Sequence, residues 1–301
     1  MKPDSKLAQS IENGDFIITA EYLPRITADK QSVDSVLKTL GNGLTAVNVS
    51  DNPYGVALSS LAASAGMATN GIEPIFQMVT RDRNRIALQS DLLGAAYLGI
   101  KNVLCLSGYH QTLTASSGSA NVYDIDSIQL LAAVTGMNEQ RVLINGAKIG
   151  GEFSMIAGAV ANPFLEPLEL NIIRLAKKVK AGAQFIQTQP VFNIEKFRLW
   201  IEAANQEGIT EKTAIIPGIL PLNSFEEAER LREFYTDHII PNEIIDRLRS
   251  AGDDTIQKNT GLAICSEIIG TIKDIQGVCG IHILSGGKED RVPELLDMSG
   301  L

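Results

Sequence analysis

Short apolar runs rich in valine and isoleucine recur along the chain, and longer segments with helical spacing of apolar residues lie between them. This alternation predicts β-strands and α-helices arranged around a parallel sheet. The runs are apolar almost throughout, which indicates strands that are buried on both faces. Eight strands are predicted, at residues 16–22, 45–50, 73–80, 102–107, 154–160, 183–189, 214–220 and 278–284.

Several of the predicted helices end at a glycine, the residue that most easily adopts the left-handed conformation of a helix C-cap. Two helical runs, at 242–250 and 256–275, precede the last strand and enlarge the seventh unit. No linker rich in proline or serine divides the chain. We therefore expect one domain over residues 1–301, with a long loop at 108–126 and extra helices at about 242–275.

Eight such units fit either a closed (β/α)8 TIM barrel or an open, doubly wound sheet. No G-x-G-x-x-G motif follows the first strand, which disfavours the open sheet. Polar residues also recur at the carboxyl ends of the predicted strands, where barrel enzymes build their sites. These residues are Glu21, Ser50, Thr80, Ser107, Gln189 and, after the last strand, Ser285. The sequence thus favours a barrel.

The charge balance limits the choice of partners. The chain has 26 lysines and arginines against 35 aspartates and glutamates, a net charge of -9, which argues against binding nucleic acid. The N-terminal residues carry charges where a signal peptide would be apolar, and no stretch is as long as a membrane span. Three cysteines without C-x-x-C spacing suggest neither disulfides nor zinc. A cytoplasmic protein is expected.

The three histidines, His110, His238 and His282, have no spacing that resembles a metal site, so no metal is predicted. His282 lies in an apolar run and is interpreted as a core residue, whereas His110 lies in the 108–126 loop and is the better functional candidate. The composition of this loop fits either an active-site lid or a solvated, partly disordered segment.

Glu21 and a cluster of three arginines are candidates for chemistry. A carboxylate that is partly desolvated at a barrel mouth has a raised pKa and can donate a proton; the alternative is a pair between Glu21 and a nearby Arg25 or lysine. The arginines follow the third strand and suit a phosphate or carboxylate ligand. The alternative is salt-bridged packing, with Asp82 capping the next helix. The arginines are Arg81, Arg83 and Arg85.

Gln187 and Gln189 lie on the same face of the sixth strand, so both amides could line the barrel mouth. Amides provide both donors and acceptors, which suits recognition of a heterocycle; the alternative is structural bonding to loop backbone. Lys177 and Lys178 are interpreted as solvated, although one of them could reach a phosphate.

Three blocks of sequence, in order, are RDRNRIALQSDLLGAAYLGIKNVLCLSG, AGAQFIQTQPVF and IIPGILPL. With these blocks the chain resembles methylenetetrahydrofolate reductases from residue 16 to about residue 290, and most closely the short reductases of anaerobic one-carbon metabolism. The resemblance implies a (β/α)8 barrel with a flavin at the carboxyl ends of the strands. It also implies that hydride passes from a reduced nicotinamide through the flavin to methylenetetrahydrofolate.

The same resemblance implies roles for individual residues. The family's general acid falls on Glu21, which would help to open the five-membered ring of the folate. The folate-binding residues would be Gln189, Glu227 and Lys288. FAD is favoured over FMN, with NADH or another reduced donor. The flavin contacts would be Ser50, Gln77 (where many members have histidine), Ser107, Gly108, Tyr109 and Lys178.

One position departs from the family pattern. The fourth strand of the family ends in a Gly-Asp pair, and here the aspartate is replaced by Tyr109. A carboxylate beside the flavin disfavours negative charge on the reduced ring, whereas a neutral tyrosine opposes that charge less. Two alternatives to a flavin reductase follow: a folate-binding one-carbon enzyme without flavin, or a subunit that docks with an electron-delivering partner. A homo-oligomer is left open.

Overall fold

The computed structural model describes residues 4–40, 43–234 and 240–301. Eight parallel strands pair in chain order, and the last strand pairs with the first to close a barrel. The predicted single-domain (β/α)8 TIM barrel is therefore confirmed, and the open sheet is wrong. The strands are β1 (Ile17–Tyr22), β2 (Ala46–Val49), β3 (Pro74–Val79), β4 (Asn102–Leu106), β5 (Ile156–Ala161), β6 (Phe185–Pro190), β7 (Ala214–Ile219) and β8 (Gly280–Ile283).

Helices surround the barrel, and three of them lie between β7 and β8, where the sequence indicated an enlarged unit. A short 3-10 helix, Gln111–Leu113, lies in the long loop after β4. The α-helices are α1 (Lys6–Asn13), α2 (Lys30–Leu40), α3 (Ser60–Thr69), α4 (Arg85–Tyr97), α5 (Ser127–Glu139), α6 (Leu168–Lys180), α7 (Ile194–Gln206), α8 (Phe225–Phe234), α9 (Asn242–Ser250), α10 (Asp254–Ile272) and α11 (Arg291–Ser299).

Side chains alternate along each strand between the helix layer and the barrel interior. On β1, Ala20 and Tyr22 pack in the large core between barrel and helices, whereas Ile17 belongs to a smaller cluster inside the barrel. The residues at alternate positions from Ile17, namely Thr19 and Glu21, therefore face the interior. The same rule holds on the other strands and determines which side chains reach the C-terminal mouth.

The N-terminal end of the barrel is closed by α1, which the sequence analysis did not predict. Leu7 is fully buried in the same interior cluster as the apolar residues at the starts of the strands. The Ser5 hydroxyl accepts the Ala8 amide at 2.9 Å and donates to the Asn102 side chain at 3.0 Å. This N-cap positions α1 under the barrel, so that the opposite, C-terminal end is left for a site.

Candidate active site

Glu21 lies at the carboxyl end of β1, on the inner face of the barrel mouth. Its Oε1 accepts a hydrogen bond from the Ser50 hydroxyl at 2.9 Å, and its carboxyl group also accepts the backbone amide of Gly286. Ser50 directly follows β2, and Gly286 follows β8, the two strands that flank β1. The barrel closure therefore brings groups from both neighbouring strands to one carboxyl group.

Burial raises the pKa of the Glu21 carboxyl above its usual range. The hydrogen bonds from Ser50 and Gly286 lower this pKa, and the negative charge of Glu289 raises it further. Desolvation is the largest of these effects, so Glu21 keeps its proton to a higher pH than an exposed glutamate does. The alternative in which Glu21 pairs with Arg25 is wrong, because Arg25 pairs with Glu289 at 3.5 Å.

The structure separates the two glutamines of β6. Gln189 is partly exposed, whereas Gln187 is 1% exposed and lies deeper in the barrel. The Gln187 amide bonds to Asn48 and Thr19, so the prediction that both amides line the mouth is wrong for Gln187. Of the two glutamines, Gln189 is the one at the carboxyl end of β6.

Three of the predicted flavin contacts lie at the ends of β3 and β4. Gln77 is 8% exposed and lies two residues after Ile75 of the interior cluster, so its side chain faces the inside of the barrel. Gly108 has a φ of 84°, and a Cβ there would lie 3.2 Å from the Arg81 Cβ, so a side chain would be strained. Tyr109 follows it and is 48% exposed.

The other predicted cofactor and substrate contacts have partners inside the protein. The Ser107 hydroxyl accepts the Ser127 amide at 3.3 Å. Lys178 is not solvated: its ammonium donates to the Val160 carbonyl at 2.6 Å, and burial lowers its pKa. Of the predicted folate contacts, Lys288 lies in the loop after β8 and Glu227 lies in the first turn of α8, and the two side chains pair with each other at 3.5 Å.

The three arginines of the RDRNR segment are all engaged in ion pairs, which fits salt-bridged packing better than a ligand site. Arg83 pairs with Asp51 and with Asp91. Arg85 pairs with Asp124 across 39 residues of sequence, at 2.8 Å. The pKa of Asp124 is lowered to about 2, because Arg85 stabilises its charged form.

Arg81 is the most deeply buried of the three and holds the 108–126 loop. It is 1% exposed, and it donates to the carbonyls of Tyr109 at 3.1 Å and Asn52 at 2.9 Å. Its guanidinium also pairs with Asp82 at 2.7 Å. Asp82 is therefore not the cap of α4; Asn84 is, because its side chain accepts the first free amides of that helix. Arg81 and Arg85 thus hold the 108–126 loop through the Tyr109 carbonyl and Asp124. These contacts favour an ordered loop over a partly disordered one.

The histidines have structural surroundings. His110, the preferred functional candidate, bonds within its own loop to Thr112 at 2.9 Å and to Asn121 at 2.8 Å. His282 is a buried residue of the barrel interior, as predicted, and burial lowers its pKa to about 3, so its ring is neutral at physiological pH. His238 lies outside the described residues.

Asn48 and Asp51 were missed by the sequence analysis. Asn48 is a buried polar residue inside the barrel, and the alternation TAVNVS, with a polar residue between two valines, is a signal that could have identified it. Asp51 is buried and accepts the Val79 amide at 2.9 Å. It links the ends of β2 and β3 and supports the rim of the mouth.

Two further properties concern only the ranges 4–40, 43–234 and 240–301. No group of three or more histidine, cysteine, aspartate or glutamate side chains is arranged there to hold a metal ion. None of the helices in that part of the chain combines the length and the apolar character needed to cross a bilayer.

The fold and the residues at the barrel mouth define a class of protein. It is a (β/α)8 barrel with a protonatable carboxyl group, Glu21, and a side-chain amide, Gln189, at the carboxyl ends of its strands. A sequence model of the family "Methylenetetrahydrofolate reductase" matches residues 6–300, and the chain belongs to this family. A Caenorhabditis elegans protein named "Probable methylenetetrahydrofolate reductase (NADPH)" is 25% identical over 82% of this chain and 35% of its own length. The "5,10-methylenetetrahydrofolate reductase" of Buchnera aphidicola (subspecies Schizaphis graminum) is 26% identical over 67% of this chain and 63% of its own.

The chain thus spans less than two thirds of each of these relatives. Among solved structures, a Clostridium thermocellum protein described as binding two copies of 5-methyl-5,6,7,8-tetrahydrofolic acid is similar, with a TM-score of 0.67 and 14% identity. The match covers 98% of this chain and 99% of that one. At this identity the similarity concerns the fold.

Proposed function

We propose that this protein reduces 5,10-methylenetetrahydrofolate to 5-methyltetrahydrofolate, or catalyses the reverse reaction. The observation that carries the proposal is Glu21, an inward-facing carboxyl group with a raised pKa at the barrel mouth, where the family has its general acid. Membership of the reductase family supports it, as does the similar fold that binds 5-methyltetrahydrofolic acid.

In this proposal Glu21 donates its proton to the nitrogen that leaves the methylene carbon. The C–N bond then breaks, its electron pair goes to the protonated nitrogen, and the other ring nitrogen forms an iminium with the methylene carbon. Addition of a hydride converts this carbon to the methyl group. Ser50 holds the Glu21 carboxyl in place through its hydroxyl, and Gln189 holds the pterin.

The residues at the ends of β3 and β4 suit a flavin, which supplies the hydride when it is bound. The fit rests on Gln77, because its side-chain amide offers a donor and an acceptor on the inner face of the barrel. Gly108 and Tyr109 would complete this wall. FAD rather than FMN, NADH as the donor, an electron-delivering partner, a homo-oligomer and a cytoplasmic location stay predictions.

An anaerobic absorbance spectrum of the untagged protein, before and after FAD or FMN is added, tests the proposal. We expect a protein-bound flavin band that NADH or another reduced donor bleaches and that methylenetetrahydrofolate restores. Bleaching without restoration would contradict folate reduction. The absence of any flavin band, under all these conditions, would contradict the flavin reaction.

Tyr109→Asp is expected to make the reduction potential of the bound flavin more negative. A carboxylate beside the flavin disfavours negative charge on the reduced ring, and the tyrosine at this position supplies no carboxylate. A redox titration of the flavin-loaded wild type and variant measures the effect. Tyr97→Asp is the matched control, because Tyr97 is 90% exposed on α4 and should leave the potential unchanged. An unchanged potential in Tyr109→Asp would place Tyr109 away from the flavin.

Tyr109 also favours a second candidate, a folate-binding one-carbon enzyme without flavin chemistry. Glu21 and Gln189 are present in this chain, whereas the aspartate expected beside a flavin is replaced. Calorimetric titration with tetrahydrofolate separates the two candidates. Folate binding by a protein that takes up no flavin supports the second, and flavin uptake followed by folate-dependent reoxidation supports the first.

A further inference from the structure

A layer of four buried polar side chains crosses the barrel interior, at a depth where barrels usually have branched apolar residues. Thr19, Asn48, Gln187 and His282 are each at most 3% exposed. They come from β1, β2, β6 and β8, and β2 and β6 lie on opposite sides of the barrel. We call these four residues the polar layer.

An amide pair forms the centre of this layer. Asn48 Nδ2 donates to Gln187 Oε1 at 2.7 Å, and Gln187 Nε2 donates back to Asn48 Oδ1 at 3.0 Å. Gln187 Nε2 also donates to Thr19 Oγ1 at 3.1 Å, and the Thr19 hydroxyl lies 3.0 Å from His282 Nδ1. Both amide hydrogens of Gln187 are therefore used, and its orientation is determined by three contacts.

The polar layer lies directly below the groups of the proposed site. Thr19 precedes Glu21 by two residues, Asn48 precedes Ser50 by two, and Gln187 precedes Gln189 by two. In a strand, residues two apart point to the same face about 7 Å apart along the chain. Each residue of this layer on β1, β2 and β6 thus shares its strand face with one mouth residue.

We propose that the Asn48–Gln187 pair and Thr19 are positioning residues that set the distance and orientation between Glu21, Ser50 and Gln189. This inference rests on the proposed function and deepens it. Apolar side chains would fill the same volume but would permit several rotamers and small shifts between opposite strands. Directional hydrogen bonds across the barrel connect β2 and β6 in one arrangement.

A double variant distinguishes positioning from stability. Asn48→Leu combined with Gln187→Met removes both amides and keeps the side-chain volumes similar, so no buried amide of the pair is left without its partner and stability should be largely kept. We expect turnover of methylenetetrahydrofolate to fall by about 10- to 100-fold, because a small misplacement of reacting groups has effects of this size. A double variant with wild-type stability and wild-type turnover would overturn the inference.

Thr19→Val is a milder, nearly isosteric variant for the case in which the double variant does not fold. It removes the hydroxyl that connects Gln187 to His282. We expect lower turnover than in the wild type. We also expect the loss of activity at alkaline pH to begin at a higher pH than in the wild type, because a weaker hydrogen bond from Ser50 lowers the pKa of Glu21 less. An unchanged pH profile together with unchanged turnover would count against positioning through Thr19.

Phe185→Leu is the matched control, because Phe185 lies on β6 two residues before Gln187 but in the apolar cluster nearer the N-terminal end. It should lower stability and leave turnover at permissive temperature unchanged. Equal loss of turnover in this control would indicate a general effect of barrel packing and overturn the inference.

Binding of 5-methyltetrahydrofolate, measured by calorimetry, separates failure of this inference from failure of the proposed function. If the wild type binds the folate but shows no reduction, the proposed reaction is wrong, and at least tenfold weaker binding by the double variant still supports positioning of Gln189. In that case, unchanged binding of 5-methyltetrahydrofolate by the double variant overturns the positioning inference. If the wild type neither binds nor reduces folate, the positioning inference and the proposed function are both wrong.

Discussion

Glu21→Gln lowers the turnover of methylenetetrahydrofolate by at least about 100-fold, the usual contribution of a general acid, while the protein still folds. The amide keeps the shape of the side chain and can still accept from Ser50, but it has no proton to donate. Steady-state turnover under anaerobic conditions measures the effect. In the wild type, turnover should fall as the pH rises through the raised pKa of Glu21.

The Glu21→Gln substitution should lower turnover but should not lower stability. Because the folded-state pKa of Glu21 is raised, the native protein binds this proton more tightly than the unfolded chain, and stability is lost as pH rises through the interval between the two pKa values. The glutamine has no such loss, so Glu21→Gln should be at least as stable as the wild type at neutral pH in thermal unfolding.

Glu73→Gln is the control for this prediction. Glu73 is a carboxylate at the N-terminal end of the barrel, where it accepts the amides of Lys6 and Leu7. Its replacement should leave the pH profile of turnover unchanged. If Glu21→Gln kept more than half of the wild-type turnover, another group would have to be the acid.

Arg81→Met is expected to lower the free energy of unfolding by about 2–4 kcal/mol and to expose the 108–126 loop to proteases. Arg81 is buried, and its removal leaves the carbonyls of Tyr109 and Asn52 without their donor and Asp82 without its cation. Denaturant unfolding measures the stability, and limited proteolysis followed by mass spectrometry locates the cleavage.

Arg85→Met provides the comparison for Arg81→Met. Arg85 holds the same loop through Asp124, but the two side chains are 48% and 31% exposed, and ion pairs that solvent reaches contribute little. We therefore expect a much smaller loss of stability and little additional cleavage. Equal effects of the two substitutions would show that burial of Arg81 is not what holds the loop.

The positions of the strands could be predicted because a strand buried on both faces needs an apolar side chain at almost every position. The run at 16–22 became β1 (Ile17–Tyr22), and the run at 214–220 became β7 (Ala214–Ile219). Glu21 could be located at the end of such a run, but its position fitted a structural ion pair as well as an acid, and only the family resemblance favoured the acid. The raised pKa of Glu21 agrees with the sequence argument.

Depth within the barrel could not be predicted. The strand period places Gln187 and Gln189 on one face, but it does not say how far each lies from the mouth. Closure of the sheet put Gln187 opposite Asn48, 139 residues away in sequence, and the two amides satisfied each other. The helix α1 was missed for a related reason: its buried surface meets the interior of a barrel formed by residues far along the chain.

Apolar periodicity and blocks of residues that are local in the chain were enough to predict the barrel and the family. Which polar groups have partners depended instead on how distant segments of the chain pack together. Arg81 could have met a ligand or the Tyr109 carbonyl, and the choice depended on where a loop 28 residues away folded back. Hydrogen bonds and ion pairs act over a few ångströms, so their partners are known only once the chain is closed in space.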